Sequence, residues 1–520
     1  MKKRILIGLI CQFFVFLSFS QTTEVRQSDV LDIDLPKSES TFQIVGENFN
    51  YLYAVYEFSS TFVTQAKLKL VAFDKKTLRN VNEKILRGFK KVNPELEGLK
   101  KQYRAFRLEK TLVCEDVIYV IWKGYANKKL HFFVETYDKH LKQIQKVKPV
   151  HSMNLINDTY LSTLFKKVGK NKIMFLTEDF YEKDNKAIID YKTIDSNLSI
   201  LNSNKVTITG QFYLPPKDIT EYRFHAVQDV DKHSDFSIIH AYYKIDSIEN
   251  IHCITHNSIS FIKTNSGQVN TINFNDPTKR IDQLQSLITK DNKLWVFGLF
   301  TDLKQDKKGE DFHGLFSAQI DLTSSKIVYS KYENFTKERL DFIFKNDKED
   351  RKDNKVFQSD QKDMSELNSL SSDYRIEHEF IDNDNLVIFM RKNKIIRLAG
   401  YAPSMKTDNI STFKISNEGR ILWGTNLDIE YPNNISVINF SSYYACLYTD
   451  LKQKVNFSAF NSQTGKVNSF ELRYNLVNPK NAKKIDLYFN KFTRFDDKFY
   501  YFHKEKNNYV LFEMSVVLNE

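Results

Sequence analysis

One turn recurs along this chain, and it constrains the fold more than any other feature. An apolar strand ends on a hydrophobic residue followed by Asp, Asn or a substitute, and a new strand begins a few residues later. The pattern appears at Phe73-Asp74, Tyr137-Asp138, Ile194-Asp195, Ile262-Lys263, Ile320-Asp321, Ile415-Ser416 and Phe460-Asn461. Asp, Asn and Ser side chains cap the local backbone, and Gly267, Gly419 and Gly465 supply positive φ in three copies, so each reads as a hairpin turn. Before each turn lies a strongly β-prone run: those opening at Asn50, Asp116, Asn171, Asp235, Asn292, Asn385 and Ser442, with an eighth at Asp497. Near-continuous apolar runs suit strands covered on both faces, as an inner strand between stacked sheets would be.

Successive copies lie about 55–66 residues apart, with one gap of about 90, which is slightly long for a four-stranded propeller blade of ~40–50. The fold expected is all-β: a single β-propeller of eight blades, with seven as the alternative. The chain ends on an apolar run, 509–517, with no partner after it, and 29–35 near the N-terminus alternates as an outer strand would. Pairing these two would share the last blade between the ends and close the ring, leaving no sheet edge there to aggregate. The aromatic load, 42 Phe and 27 Tyr, agrees with strands.

The segment Ser416-Asn417-Glu418-Gly419-Arg420-Ile421-Leu422-Trp423, with glycine in the turn and tryptophan shortly after, resembles a blade of quinoprotein-type secreted propellers. In that family such a tryptophan docks neighbouring blades. The resemblance implies an architecture and no active site.

The long gap holds an interruption at about 333–375. Residues 336–344 suit a short helix with Thr336 as N-cap. Residues 345–363 then mix dense charge of both signs with almost no large apolar side chain, as a solvated loop does. The stretch reads either as a tolerated insertion or as a binding loop.

The first twenty residues read as a signal peptide, leaving 21–520 for the propeller. Lys2, Lys3 and Arg4 precede an apolar stretch at 5–19, and Ser18-Phe19-Ser20 predicts cleavage before Gln21. No later segment has the length of a transmembrane helix. The formal charge of +11 falls to +8 once Lys2, Lys3 and Arg4 leave. The remaining lysines are interleaved with Asp and Glu, which reads as a solubilising surface and points to no nucleic-acid partner. Cys114, Cys253 and Cys446 remain, far apart and each beside apolar residues: three buried thiols, or one disulfide and a free thiol.

Fifteen glycines in 520 residues leave no GxGxxG, GxxxxGK[ST] or GxSxG, which argues against nucleotide enzymes and α/β-hydrolases. His225, His233, His240, His252 and His256 cluster around Cys253. Four residues apart on a strand, His252 and His256 would sit about 13 Å from each other, too far for one metal. Asp382-Asn383-Asp384-Asn385 offers calcium-type oxygens without the glycine and distal glutamate of a dedicated loop, and a plain turn explains it. No catalytic residue, cofactor site or metal site can be named from the sequence. The expectation is a monomeric, secreted or periplasmic, non-catalytic binding protein with a protein or glycan partner in the cell envelope. The alternative is an enzyme acting on extracellular polysaccharide at the propeller funnel. A quinone-dependent dehydrogenase ranks below both, since only three tryptophans are present.

Overall fold

The computed structural model describes residues 22–27, 40–58, 67–86, 107–126, 129–154, 162–181, 186–209, 237–248, 251–263, 266–274, 276–289, 291–305, 311–336, 340, 370–371, 374–396, 404–430, 433–440, 442–449, 455–470, 475–476, 493–495, 498–505 and 508–517. They form a β-propeller whose sheets follow one another in chain order.

Six sheets are four-stranded antiparallel blades. Blade 1 comprises Ser40–Glu47, Tyr51–Phe58, Lys67–Asp74 and Asn80–Leu86. Blade 2 comprises Arg107–Val113, Val117–Ala126, Lys129–Asp138 and Gln143–Asn154. Blade 3 comprises Ser162–Lys167, Ile173–Tyr181, Lys186–Ile194 and Ile200–Thr209. A three-stranded sheet follows, Ser237–Ile248, Ile251–Lys263 and Gln268–Asn273. Blade 4 comprises Lys279–Ile288, Lys293–Asp302, Gly314–Asp321 and Lys326–Asn334. Blade 5 comprises Tyr374–Asp382, Asn385–Ile396, Ser404–Ile415 and Ile421–Glu430. Blade 6 comprises Asn433–Asn439, Tyr443–Thr449, Val455–Asn461 and Val467–Phe470.

A terminal sheet joins the two ends of the chain in the order Asn475–Leu476, Thr22–Gln27, Asn508–Val517, Lys498–Glu505, Thr493–Phe495.

Three expectations need correction. Six four-stranded blades are present where eight, or alternatively seven, were expected. The repeat marks one turn and one strand per unit and cannot report how many strands each unit contributes. The ends do pair, Thr22 opposite Val517 through Gln27 opposite Phe512, but the N-terminal strand lies earlier than the one expected, and 29–35 falls outside the described residues. Third, the β-prone runs form the second strand of each blade, not the innermost. First strands of successive blades are the ones that neighbour each other around the axis. Gln283 on blade 4 bonds the backbone N–H of Ile376 on blade 5 at 2.9 Å, and His378 there reaches the Ile435 carbonyl of blade 6 at 2.8 Å.

The core is a series of layers between sheets. Tyr53, Leu70 and Ala72 of blade 1 pack on Val120, Trp122 and Phe133 of blade 2. Tyr119 and Phe132 of blade 2 pack on Phe165 and Phe175 of blade 3. Trp295 and Phe297 of blade 4 meet Ile388 and Phe413 of blade 5, and Phe389 and Ile410 of blade 5 meet Tyr444 and Phe460 of blade 6. Tyr500 and Leu511 of the terminal sheet pack on Leu52 and Phe73, tying the chain ends to blade 1. Each buried aromatic is worth several kcal/mol, since Phe→Ala in such a layer costs ~3–5 kcal/mol.

The recurring turn is a hairpin turn, as the sequence implies; it joins third and fourth strands in the six blades, and second and third strands at Ile262–Lys263 in the three-stranded sheet. Asp138 Oδ1 accepts the N–H groups of His140 and Lys142 at 2.8 and 2.9 Å, and Asp321 Oδ1 those of Thr323 and Ser324 at 2.7 and 2.8 Å. The left-handed position is occupied in three ways, one of them Ser325 in blade 4 with φ of 57°. Gly267, Gly419 and Gly465 hold it in later copies, whereas blades 1 to 3 place Leu78, Leu141 and Leu198 there, with φ of 56°, 61° and 64°. A leucine pays steric strain in that region, and burial offsets it: Leu78 and Leu141 are core residues, and Leu198 packs against the layer between blades 2 and 3. The Trp423 of the quinoprotein-like segment does dock a neighbouring blade. Its indole N–H donates to the Ser462 carbonyl at 3.2 Å, and a Cβ added at Gly465 would meet its ring at 2.5 Å.

Candidate functional site

Turns between first and second strands and between third and fourth strands lie at one end of the ring and are bonded from blade to blade. Asn48 Nδ2 donates to the Glu115 carbonyl at 3.1 Å, and the Glu115 N–H to the Lys170 carbonyl at 3.3 Å, linking blades 1, 2 and 3. Tyr53 Oη donates to the Lys139 carbonyl at 2.8 Å and Tyr119 Oη to the Asn171 carbonyl at 2.7 Å. Burial, together with neighbouring carboxylates and phenols, pushes both phenols well above the usual tyrosine range, so they stay donors. This is the turn face.

Its most buried ionic group joins blades 5 and 6. Asp382 and Lys414 pair at 2.8 Å with side chains 7% and 8% exposed. Tyr444 Oη donates to the same carboxylate at 2.7 Å, and Lys414 Nζ also donates to the Ser462 carbonyl at 3.0 Å. Burial works against the Asp382 carboxylate, but the bonds from Lys414 and Tyr444 outweigh it and hold the group below the usual range. Asn383 and Asp384 follow with φ of 47° and 59°, a two-residue hairpin turn. The Asp382–Asn385 oxygens are therefore committed to a turn and an interblade bond.

At the opposite end lie the connections between second and third strands and between blades. The described strands on either side of the interruption after blade 4 end on this loop face. Both feet of that interruption are clamped. Asp311–Phe312 pairs with Leu370–Ser371, and Phe312, Phe335, Leu340, Leu370 and Tyr374 enter the layer between blades 4 and 5. Of the helix expected at 336–344 the described residues hold only Thr336 and Leu340, whose N–H meets the Thr336 carbonyl at 3.0 Å as in a helical turn, and 337–339 and 341–344 fall outside them. Residues 345–363 fall outside the described residues.

A polar cluster stands beside the clamp. Asp302 pairs with Lys279 and accepts the Lys304 N–H at 3.0 Å and Gln305 Nε2 at 3.3 Å. Burial raises its pKa, but Lys279 and the backbone donor outweigh that and keep it charged. The Asp302 N–H donates to His313 Nδ1 at 3.3 Å, which places the imidazole proton on Nε2. Thr301 Oγ1 donates to the Asp311 carbonyl at 2.8 Å. The cluster fixes the strand that carries Asp311–Phe312; its carboxylate is spent on Lys279.

Two further buried groups lie in blade 2, of which His151 reaches across to blade 3. Glu135 accepts Trp122 Nε1 at 3.0 Å, Tyr137 Oη at 2.8 Å and Gln143 Nε2 at 3.0 Å, yet burial still raises its pKa. His151 Nε2 lies 3.0 Å from Thr177 Oγ1 of blade 3, and burial lowers its pKa to about 4.

Sequence reasoning missed the interblade bonds because their members lie far apart in the chain, as Asp382 and Tyr444 do at 62 residues, and missed the nearer partners of Glu135 because nothing local marks that carboxylate as buried. One signal was available: Glu109 pairs with Lys123 at 2.9 Å in blade 2, and Glu377 with Arg391 at 2.8 Å in blade 5, both at a spacing of fourteen residues. Of the histidine cluster, His252 and His256 share the strand Ile251–Lys263, His240 sits on the strand before it, and His225 and His233 fall outside the described residues. Among the described residues no three His, Cys, Asp or Glu side chains gather as metal ligands. Cys114 and Cys446 are free and buried, with the Cys114 thiol pushed up to about 11. No helix among the described residues is long and apolar enough to cross a membrane.

No family model and no curated relative matches the sequence. Among solved structures, the chain is similar to a prolyl endopeptidase at 10% identity and a TM-score of 0.40, covering 83% of this chain and 49% of that one. It thus spans about half the length of that protein. It is also similar to the apocarotenoid oxygenase of Synechocystis at 8% identity and a TM-score of 0.33, covering 88% and 94%. An uncharacterized protein of Listeria monocytogenes EGD-e gives 11% identity and 0.32, covering 77% and 88%. The class defined here is a multi-bladed β-propeller with no specific family.

Proposed function

We propose that this protein is an exported, non-catalytic binding scaffold of the periplasm or cell exterior, and that its protein or glycan partner in the cell envelope docks on the loop face. The observation carrying this reading is the segregation of connections. Tight, mutually bonded turns occupy one face, and the strand ends that bound the interruption after blade 4 lie on the other, where it leaves and re-enters the fold beside the paired strands Asp311–Phe312 and Leu370–Ser371. A rigid ring presenting variable loops at one end is how such scaffolds separate stability from recognition. The basic start and apolar stretch of residues 1–20 support export.

The test is crosslinking in cell envelopes with the intact chain and with a version lacking 347–363. A defined partner captured by the first and lost from the second supports the reading. Equal capture by both places recognition elsewhere, and turnover of envelope polysaccharide by the purified protein would replace it with the enzymatic alternative.

A further inference from the structure

Among the described residues, one large apolar side chain stands almost wholly in solvent. Phe49 is 93% exposed, whereas the next large hydrophobic, Val328, is 57% exposed. Half-exposed aliphatics are ordinary on a folded surface, but a phenyl ring with neither face against protein is not. The turn that carries it is fixed. Asn48 Oδ1 accepts the N–H groups of Asn50 and Tyr51 at 3.1 and 2.8 Å, and the Asn48 N–H donates to the Tyr51 carbonyl at 2.9 Å. Phe49 is thus held out at the tip of a bonded turn on the turn face.

The neighbouring turns are cationic. The Lys75 N–H donates to the Asn50 carbonyl at 2.9 Å, which sets the 74–79 turn of blade 1 on one side. The Tyr51 ring meets His140 at 5.7 Å and Tyr53 Oη bonds the Lys139 carbonyl, which sets the 138–142 turn of blade 2 on the other. These two turns carry Lys75, Lys76, Arg79, Lys139 and Lys142; the equivalent stretch of blade 3, 195–199, has no cation, and that of blade 4, 321–326, only Lys326. The nearby carboxylates are occupied. Asp74 and Asp138 cap their own turns, Glu47 pairs with Lys75 at 2.7 Å, and Glu115 and Asp116 share Lys170 at 3.2 and 3.8 Å. Lys76, Arg79 and Lys142 are exposed, and their long stems carry charge beyond the half-buried Asp74 and Asp138. Val81 and Ile144, both exposed, stand just past the same two turns.

We propose that Phe49 inserts into a phospholipid bilayer whose anionic headgroups meet the surrounding lysines and arginine, so that the turn face seats the propeller on a membrane surface. The occupant follows from the two chemistries side by side. A phenyl ring has no polar handle, and hydrocarbon desolvates it fully. The cations on either side of it then lie at headgroup level, where each adds electrostatic attraction to anionic lipid. Neither contribution holds a chain of this size alone, and together they give reversible, peripheral attachment. Seating the turn face on lipid turns the loop face outward. The inference goes beyond the loop-face reading and does not depend on it.

Co-sedimentation of the purified full chain with vesicles of phosphatidylcholine, alone or in equal parts with phosphatidylglycerol, tests the face. Phe49→Ser and Lys142→Glu are compared with Ile85→Ser, an exposed aliphatic at the far end of the outer strand of blade 1, and thermal melts confirm folding. The apolar stretch at 5–19 is common to all of them, so differences between variants report the turn face. The anionic vesicles are expected to bind the chain more tightly than the neutral ones. Phe49→Ser should weaken that binding roughly ten- to hundredfold and Lys142→Glu about tenfold, with Ile85→Ser unchanged. In Phe49→Trp the new indole should shift its emission to the blue on anionic vesicles, since Trp122 and Trp295 are already buried and Trp423 is docked on blade 6. Binding that ignores the anionic lipid, equal sedimentation of the intact chain and Phe49→Ser, or an unshifted Phe49→Trp emission overturns the proposal. Capture of a protein or glycan through Phe49 without lipid binding overturns it as well.

Discussion

The turn face and the loop face are built from the same strands, yet they handle their connections in opposite ways. On the turn face, Asp, Asn and Ser side chains satisfy the local backbone, and the carbonyls left over accept bonds from the next blade: Glu115 from Asn48, Lys139 from Tyr53, Ser462 from Lys414. A change there is felt by two blades. On the loop face, among the described residues, the connection after blade 4 is clamped into the core at both ends, held at its feet by Phe312 and Leu370. The lesson is that propeller stability is concentrated where turns are short, which leaves the other end free to vary.

The largest expected effect is on the turn face. Replacing Asp382 by Ala strands Lys414 in a site where both side chains are under a tenth exposed, and should cost ~3–5 kcal/mol. Denaturant unfolding measures it, and a double change to Asp382→Leu with Lys414→Met should recover most of the loss. Next is Leu141→Ala, which empties a place in the layer between blades 1 and 2 and should cost ~2–4 kcal/mol. Alanine keeps the Cβ that strains the left-handed position, so no strain relief offsets this loss, and a Leu141→Gly variant should lose less stability than the emptied volume alone implies.

A smaller effect comes from pH. His151 has a folded pKa of about 4, below its ordinary 6.5, so the folded state binds fewer protons between those values. Its contribution is complete above about pH 6.5 and disappears as pH falls toward 4. Acid melts of the intact chain and of His151→Gln should therefore converge near pH 4 and separate near neutrality. The smallest expected effect is on the loop face: removing 347–363 should leave the melting temperature within about 2 °C, below the shift that ~1 kcal/mol produces even in a large domain. A larger fall would erase the contrast between the faces.

The strand–turn–strand unit was legible because its chemistry is local. Asp74, Asp138, Asp195 and Asp321 each cap their own turn, so the spacing of those residues reports the repeat directly. The first strand of each blade was not legible. In every blade but the third its alternation is broken, as between Ile44 and Gly46, Leu108 and Lys110, and Ile376 and His378, which moves later side chains to the other face. The left-handed leucines were invisible for a related reason: local propensity asks for Gly or Asn there, and only the neighbouring blade's apolar layer repays the strain. Asp382 was read as a plain turn because Lys414 and Tyr444 lie 32 and 62 residues away.

The pairing of Thr22–Gln27 with Asn508–Val517 has a consequence for the order of events in folding. Every other blade closes between strands that leave the ribosome within seconds of each other, whereas this strand must wait, unpaired, for a partner made almost five hundred positions later. Loop-closure entropy rises only slowly with such separation, so the cost falls on time, not on final stability. The ring therefore latches last, and any delay in delivering the C-terminal strand prolongs a species with every blade formed and the circle still open.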